Sequence, residues 1–265
     1  MNKYYSQHGE DFILNKIFKN KKKGFFVEIG CLDGIEFSNS YFFEKKGWNG
    51  ICLEAHNDFI GALKKNRPGS QIVHCAVGEK NMDEVIFYAN RIGSLSTLDK
   101  SQEERWVKNY REYFDGFVEQ KVQMRTLNSV FKELQVTKID FISLDIEGYE
   151  IEALQGLDLE KFKPNIFVIE YKDDDHKKGL EEILFKNGYF FIGLLGCNLF
   201  YGVQYEDRKY LNKNYGKIKL SWIDMNGVET IKQTIFNFNK NTNLIKLKNI
   251  IKKTIVERII KRIKN

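Results

Sequence analysis

The 265-residue chain contains no uninterrupted run of about 18 apolar residues, the least that a membrane-spanning helix needs. Its first residues, Met1-Asn2-Lys3-Tyr4-Tyr5, show no apolar stretch behind a basic start, so no secretory leader is read. Cysteine is scarce, and Cys31, Cys52, Cys75 and Cys197 have no zinc-type spacing. The first three fall in or just after predicted strands. All four read as reduced core residues, which points to a cytoplasmic protein. The four histidines, His8, His56, His74 and His176, are scattered and form no His-rich ligand set. What is present is a hydrophobic share of 42% and an aromatic share of 14%. Together with the length, these allow one α/β domain with a small appendage.

The net charge of +6 is unevenly placed. Residues 246–265 hold eight Lys/Arg against Glu257, a net of +7, which leaves about −1 for the rest. The body therefore offers little support for a nucleic-acid groove. Within the last residues, Leu244, Leu247, Ile251, Ile255, Ile259 and Ile263 recur every three or four positions among lysines and arginines. That spacing predicts a basic amphipathic helix, after a polar linker at 237–243. Such a helix at 244–264 can meet an anionic membrane surface, the body or a second subunit.

Strands are expected at 25–29, 50–54, 71–76, 139–144 and 165–170. Helical spacing separates them at 38–46, 57–66, 127–135, 149–155 and 177–187, and precedes them at 11–19. This alternation predicts a doubly wound, mostly parallel sheet with almost wholly apolar strands. Aromatic runs at 189–194 and 197–203 predict an antiparallel end. Residues 84–124 interrupt the alternation with strand patterns at 85–88 and 118–124 and a charged helix near 101–113. An insertion there is expected to act as a lid or acceptor-binding element. The main domain is thus read as 1–236, and 237–265 as linker and tail helix.

Phe25-Phe26-Val27-Glu28-Ile29-Gly30-Cys31-Leu32-Asp33-Gly34 reads as a strand entering a glycine turn, and Ile51-Cys52-Leu53-Glu54 as a second strand ending on a carboxylate. This is the layout of a nucleoside-cofactor site. The acid-x-Gly-x-x-x-Gly spelling suits a cofactor without a pyrophosphate, and S-adenosylmethionine (SAM) is the candidate. Gly30 lets the backbone approach the ligand closely. Glu28 and Asp33 are expected to meet the cofactor's amino group, directly or through water, and Glu54, twenty residues beyond Gly34, its ribose hydroxyls. Ala76 and Val77, at the end of the third strand, would leave a slot for adenine.

A second segment, Ile139 to Glu150, delivers Asp145 and Glu147 to the carboxyl edge of the sheet. Asp145 can hold the cofactor's amino group or deprotonate an acceptor. Glu147 is an acceptor-site candidate, while Glu150 is read as stabilising a helix N-terminus. Asp145, Glu147 and Glu170 also form a less favoured magnesium set. Histidine bases are sought in His8, His56 and His176, the last expected on the ligand edge after the fifth strand. His74 reads as structural.

Five segments together resemble the FkbM-type SAM-dependent methyltransferases: Ser6-Gln7-His8-Gly9-Glu10-Asp11, Phe26 through Gly34, Ser38-Asn39-Ser40-Tyr41-Phe42, Leu144-Asp145-Ile146-Glu147-Gly148-Tyr149-Glu150 and Ile169-Glu170-Tyr171. The resemblance covers about residues 5–200, and Ser40 stands where threonine is more usual. It implies a class I methyltransferase fold with a seven-stranded sheet. It also implies methyl transfer to oxygen, on a sugar, a glycan precursor or a secondary metabolite. Gln7 and Asn39, at motif positions, would line the cofactor or acceptor pocket. Competing readings are a different acceptor (a small amine, a phosphate-bearing metabolite or RNA) and a non-catalytic membrane-surface module. The Asn/Asp-Pro-Pro-Tyr segment of many base-amine methylases is absent, since the only prolines are Pro68 and Pro164.

Overall fold

A computed structural model describes residues 3–112, 114–207, 209, 219–223 and 229–233. The strands, in chain order, are β1 (Phe25–Ile29), β2 (Asn49–Glu54), β3 (Ser70–His74), β4 (Ala76–Val77), β5 (Met82–Ala89) and β6 (Val118–Arg125). They continue as β7 (Phe141–Leu144), β8 (Ile166–Glu170), β9 (Phe190–Leu195), β10 (Asn198–Gly202), β11 (Lys219–Ile223) and β12 (Glu229–Gln233). The helices are α1 (Glu10–Ile17), α2 (Tyr41–Lys45), α3 (Ile60–Asn66), α4 (Gln102–Tyr110), α5 (Leu127–Glu133), α6 (Glu150–Gln155) and α7 (Asp174–Lys186). The linker and tail helix expected at 237–265 lie outside the described residues.

Seven strands form the main sheet in the order β3-β2-β1-β7-β8-β10-β9. From β3 to β8 every pairing is parallel. β10 then runs antiparallel between β8 and β9. This is the doubly wound, mostly parallel sheet that the alternating pattern calls for. Successive residues of one strand serve opposite faces. Val27 and Ile29, with Ile142 and Leu144, pack against Val130 and Phe131 of α5, Leu154 of α6 and Leu180 of α7. Phe26 and Phe141 face the other way, onto Ile13 and Leu14 of α1, Phe42 and Phe43 of α2 and Leu63 of α3. Burial on both faces is why these strands read as continuous apolar runs. Side-chain caps set two helix starts. Thr126 Oγ1 accepts from Ser129 N at 3.1 Å before α5, and Asp173 Oδ1 accepts from His176 N at 2.8 Å before α7.

The third strand ends sooner than its apolar run indicates. β3 stops at His74, and Ala76–Val77 leave the main sheet to pair with β6. β4, β6 and β5 make a separate three-stranded sheet, in which β5 and β6 are antiparallel. The insertion at 84–124 therefore joins two strands of that sheet to a second apolar cluster, in which Trp106 and Tyr110 of α4 pack with Ile92, Leu95 and Phe114. β11 and β12 pair antiparallel.

Phe141 is fully buried and its ring meets those of Phe18, Phe26, Phe43 and Trp48 at centroid distances of 5.0 to 6.2 Å. Phe141→Ala removes the shared partner of this cluster. Urea denaturation is expected to show a loss of about 3–5 kcal/mol. A loss below about 1 kcal/mol would mean that the cluster closes over the gap.

Candidate functional site

A cleft of about 1100 Å³ of empty space, its open mouth included, lies at the carboxyl edge of the main sheet. Its floor is the turn after β1. Gly30 has φ +82, and a Cβ there would stand 1.9 Å from the Asp145 carbonyl oxygen. Both the backbone conformation and the neighbouring strand therefore demand glycine. Three non-glycine residues with left-handed φ also line the cleft: Leu32 at 49°, Phe37 at 60° and Glu147 at 55°. Such strain, gathered at one cavity, marks a functional site.

Glu28 borders the cleft, with its carboxylate engaged by the protein. It is 3% exposed and accepts from Ser38 Oγ, Asn39 N, Ser40 N and Ser40 Oγ. Arg67 Nη1 adds a fifth donor at 3.0 Å. Both oxygens are thus engaged in holding the 38–40 loop at the border of the cleft. Arg67 is 1% exposed and also reaches Glu44 Oε2 at 2.8 Å, Gly34 O at 3.1 Å and Ser40 Oγ at 2.7 Å. The sequence reading missed Arg67, because a basic residue just past a helix carries no local mark of burial. Unlike Glu28, which borders the cleft, Asp33 and Gly34 are absent from its wall. Asp33 Oδ1 accepts from the amides of Ile35 and Glu36. At Gly34, with φ +83, a Cβ would press on Leu63 and Arg67 at 2.6 Å, so this glycine serves packing.

The loop that Glu28 holds presents Asn39. Its Nδ2 donates to Ser143 Oγ at 2.9 Å, while its buried Oδ1 has no partner among the described residues. A buried acceptor left open is costly unless a ligand donates to it. Glu54, at the end of β2, is 5% exposed and borders the cleft. Its oxygens accept from Leu32 N at 2.7 Å and His56 N at 2.8 Å. Burial raises its pKa, and the amide hydrogen bonds oppose that rise. The amides of His56, Leu32, Ala55 and Cys31 all act on it in this way. Gln7, Ala76 and Val77 also line the cleft. Next to Gln7 in the chain is a buried polar knot in which Ser6 Oγ donates to Asp11 Oδ1 at 2.6 Å. There Glu10 accepts from His8 N and Asn198 Nδ2. The opposite wall comes from the insertion, through Phe87, Gly93, Ser94, Ser96 and Leu98.

Asp145 and Glu147 both reach the cleft, from the turn after β7. Thr97 Oγ1 donates to the Glu147 carbonyl at 3.0 Å and ties that turn to the insertion. Glu150 braces it from behind, accepting from Ile146 N and Gly148 N. The acidic cluster that forms joins Asp145, Glu150 and Glu170, whose carboxylate oxygens lie within 4.8 Å of one another. Glu147 is outside it, which corrects the magnesium set drawn from the sequence. Burial, with Glu170 close by, pushes the Glu150 carboxyl up to about 7.

His176 is not on the cleft wall. It is buried, its Nδ1 accepts from Lys172 N at 3.2 Å, and its Nε2 faces Glu150 Oε2 at 3.3 Å. It stands behind the acidic cluster, so it does not touch a reacting group. His8 is packed on Cys197 and the residues around it. His56 Nε2 donates to Asn90 O at 3.1 Å, its Nδ1 accepts from Asp58 N, and burial lowers its pKa. Among the described residues no histidine, lysine or arginine lines the cleft. The candidate bases reduce to Asp145 and Glu147.

A family model for the methyltransferase FkbM domain matches residues 28–191. Solved structures are similar at low identity. Precorrin-6y C5,15-methyltransferase from Geobacter metallireducens GS-15 is 9% identical over 84% of this chain and 82% of that one, with a TM-score of 0.40. The ribosomal protein L11 methylase from Lactobacillus delbrueckii subsp. bulgaricus is 9% identical over 72% of this chain and 74% of that one, with a TM-score of 0.40. The O-methyltransferase from Bacillus cereus in complex with SAH is 9% identical over 72% of this chain and 78% of that one, with a TM-score of 0.38. No curated protein matches the chain.

Two measurements test the architecture of the site. Gly30→Ala forces a Cβ against the Asp145 carbonyl, and thermal or urea unfolding is expected to show a loss of at least about 1–3 kcal/mol. A wild-type melting curve would mean that the turn can shift. The raised Glu150 carboxyl has a defined pH signature. The folded chain keeps a proton that the unfolded chain releases, so this stability is present at low pH. It is lost as pH rises from 4.5, the ordinary value, to about 7. Glu150→Gln should flatten a slope of about 1.4 kcal/mol per pH unit across that window. An unchanged slope would assign the proton elsewhere.

Proposed function

The chain belongs to the FkbM methyltransferase family, and on that premise we propose that it methylates a hydroxyl oxygen of a sugar, a glycan precursor or a related small metabolite. It is a SAM-dependent methyltransferase of the class I fold. The observation that carries the acceptor reading is the composition of the cleft wall. Asp145 and Glu147 stand there with no cationic side chain among the described residues. A phosphate-bearing acceptor would find no counter-charge, whereas a neutral polyol finds two acceptors for its hydroxyl protons.

The donor side fits SAM on the chain's own features. The open Asn39 Oδ1 is an acceptor for the ammonium group, and Glu54 for the ribose hydroxyls. Gly30 leaves room for close backbone approach, and Ala76 and Val77 give a small apolar wall for adenine. Gln7 lies within reach of either half of the cleft. When bound, SAM supplies an activated methyl group on a sulfonium, so the protein's task is mostly orientation. Asp145 would take the proton from the acceptor hydroxyl as its oxygen bonds to the methyl carbon, the carbon–sulfur bond breaking and S-adenosylhomocysteine leaving, and Glu147 would orient that hydroxyl. The insertion wall of Phe87 and Leu98 keeps water from the reacting oxygen.

The test is mass spectrometry with SAM and a panel of neutral glycosides, glycans and nucleotide sugars. A product heavier by one methylene is expected on a neutral acceptor. Asp145→Asn should lower kcat by roughly 10²–10⁴-fold, with SAM affinity changed far less. Methylation confined to amines or to RNA would overturn the oxygen-acceptor reading. Full activity of Asp145→Asn would remove Asp145 from the base role.

A further inference from the structure

The carboxyl edge of the sheet carries the acidic cleft, and its amino edge carries lysine. β1, β7 and β8 are adjacent strands. The segments entering them hold Lys19, Lys22 and Lys23, then Lys138, then Lys161 and Lys163, all six exposed. Lys138, Lys161 and Lys163 share one groove with Thr137, Phe162 and Asn165, and no carboxylate lines it. None of the six forms an ion pair among the described residues. Glu160 is an exposed carboxylate beside the groove, while Asp158 is engaged by the amides of Glu160 and Lys161.

These lysines rest on a built frame. Asp140 is 1% exposed and joins all three segments. It accepts from the Lys21 ammonium, from Phe25 N at 2.9 Å and from Asn165 Nδ2 at 3.2 Å. Lys161 lies over the Phe162 ring at 5.0 Å and Lys163 over the Tyr189 ring at 6.0 Å, so their stems are supported. Neighbouring strands are about 4.8 Å apart, which puts β1 and β8 roughly 10 Å from each other. That is close to one Debye length at physiological salt, so the charges repel one another and act jointly on an outside anion.

We propose that this amino-edge face docks on an anionic membrane surface, with the catalytic cleft at the opposite edge left open. The patch is all lysine. Flexible point charges suit mobile lipid headgroups, whereas arginine is preferred for bidentate phosphate recognition. Phe162 is buried, so the groove presents no ring on which a base could stack. The face is built from residues 19–163 and does not depend on which acceptor is methylated.

The experiment is sedimentation of the full chain with vesicles of phosphatidylcholine, alone or mixed with phosphatidylserine. Binding is expected only to the mixed vesicles and should weaken with salt. Each lysine near such a surface contributes about fivefold, so Lys138→Gln/Lys161→Gln/Lys163→Gln should bind roughly 100-fold less, with unchanged melting and SAM binding. No sedimentation of the wild type overturns the proposal. So does equal sedimentation of the triple variant, which would leave the 244–264 segment acting alone. Binding to single-stranded RNA that the triple variant loses, without vesicle binding, would assign the face to nucleic acid instead.

Discussion

The Arg67–Glu28 pair is the constraint on which the cleft depends. Arg67 comes from the end of α3 and Glu28 from the middle of β1, and neither side chain meets water. A buried pair of this kind persists only when its remaining donors and acceptors are satisfied. Here Glu44, the Gly34 carbonyl and Ser40 complete the guanidinium's partners. The Phe26 and Tyr41 rings lie within 5.3 and 5.5 Å of it. Two loops are pinned at once, the turn after β1 and the 38–40 segment. With the oxygens of Glu28 engaged in holding them, the 38–40 loop presents the unpartnered Oδ1 of Asn39 at the cleft.

A second set of buried carboxylates governs the other half of the site. Glu150 and Glu170 lie behind Asp145. The cost of gathering three acids is lowered by holding a proton among them, as the raised Glu150 carboxyl indicates. Glu147 is kept in a left-handed conformation by the Gly148 turn and by the bond from Thr97. The turn carrying the candidate base and the insertion forming the opposite wall are thus one mechanical unit. A change in the insertion would be felt at Asp145 through Thr97.

Much of the fold was legible because burial on both faces leaves a plain trace. Strands such as Phe141–Leu144 and Ile166–Glu170 are largely apolar runs between helical periods, and that alternation marks a parallel sheet. The glycine at position 30 was legible for the same kind of reason, since a strand–turn–helix junction at a ligand edge requires one. The end of the third strand was not, because Ala76 and Val77 are equally apolar in either sheet. Their change of partner depends on β6, more than forty residues away.

Sequence alone determined the class of fold, the cofactor family and the two segments that border the cleft. These are written in short-range patterns of apolar spacing, glycine and acid. Tertiary structure alone decided what each acid does. Glu28 borders the cleft with its oxygens engaged by partners up to 39 positions away, and Asp33 lies off the cleft wall, its Oδ1 accepting from Ile35 and Glu36. His176 looks like an edge base and is walled in by Glu150. A carboxylate's role depends on which donors reach it first, and that is a property of the packed chain.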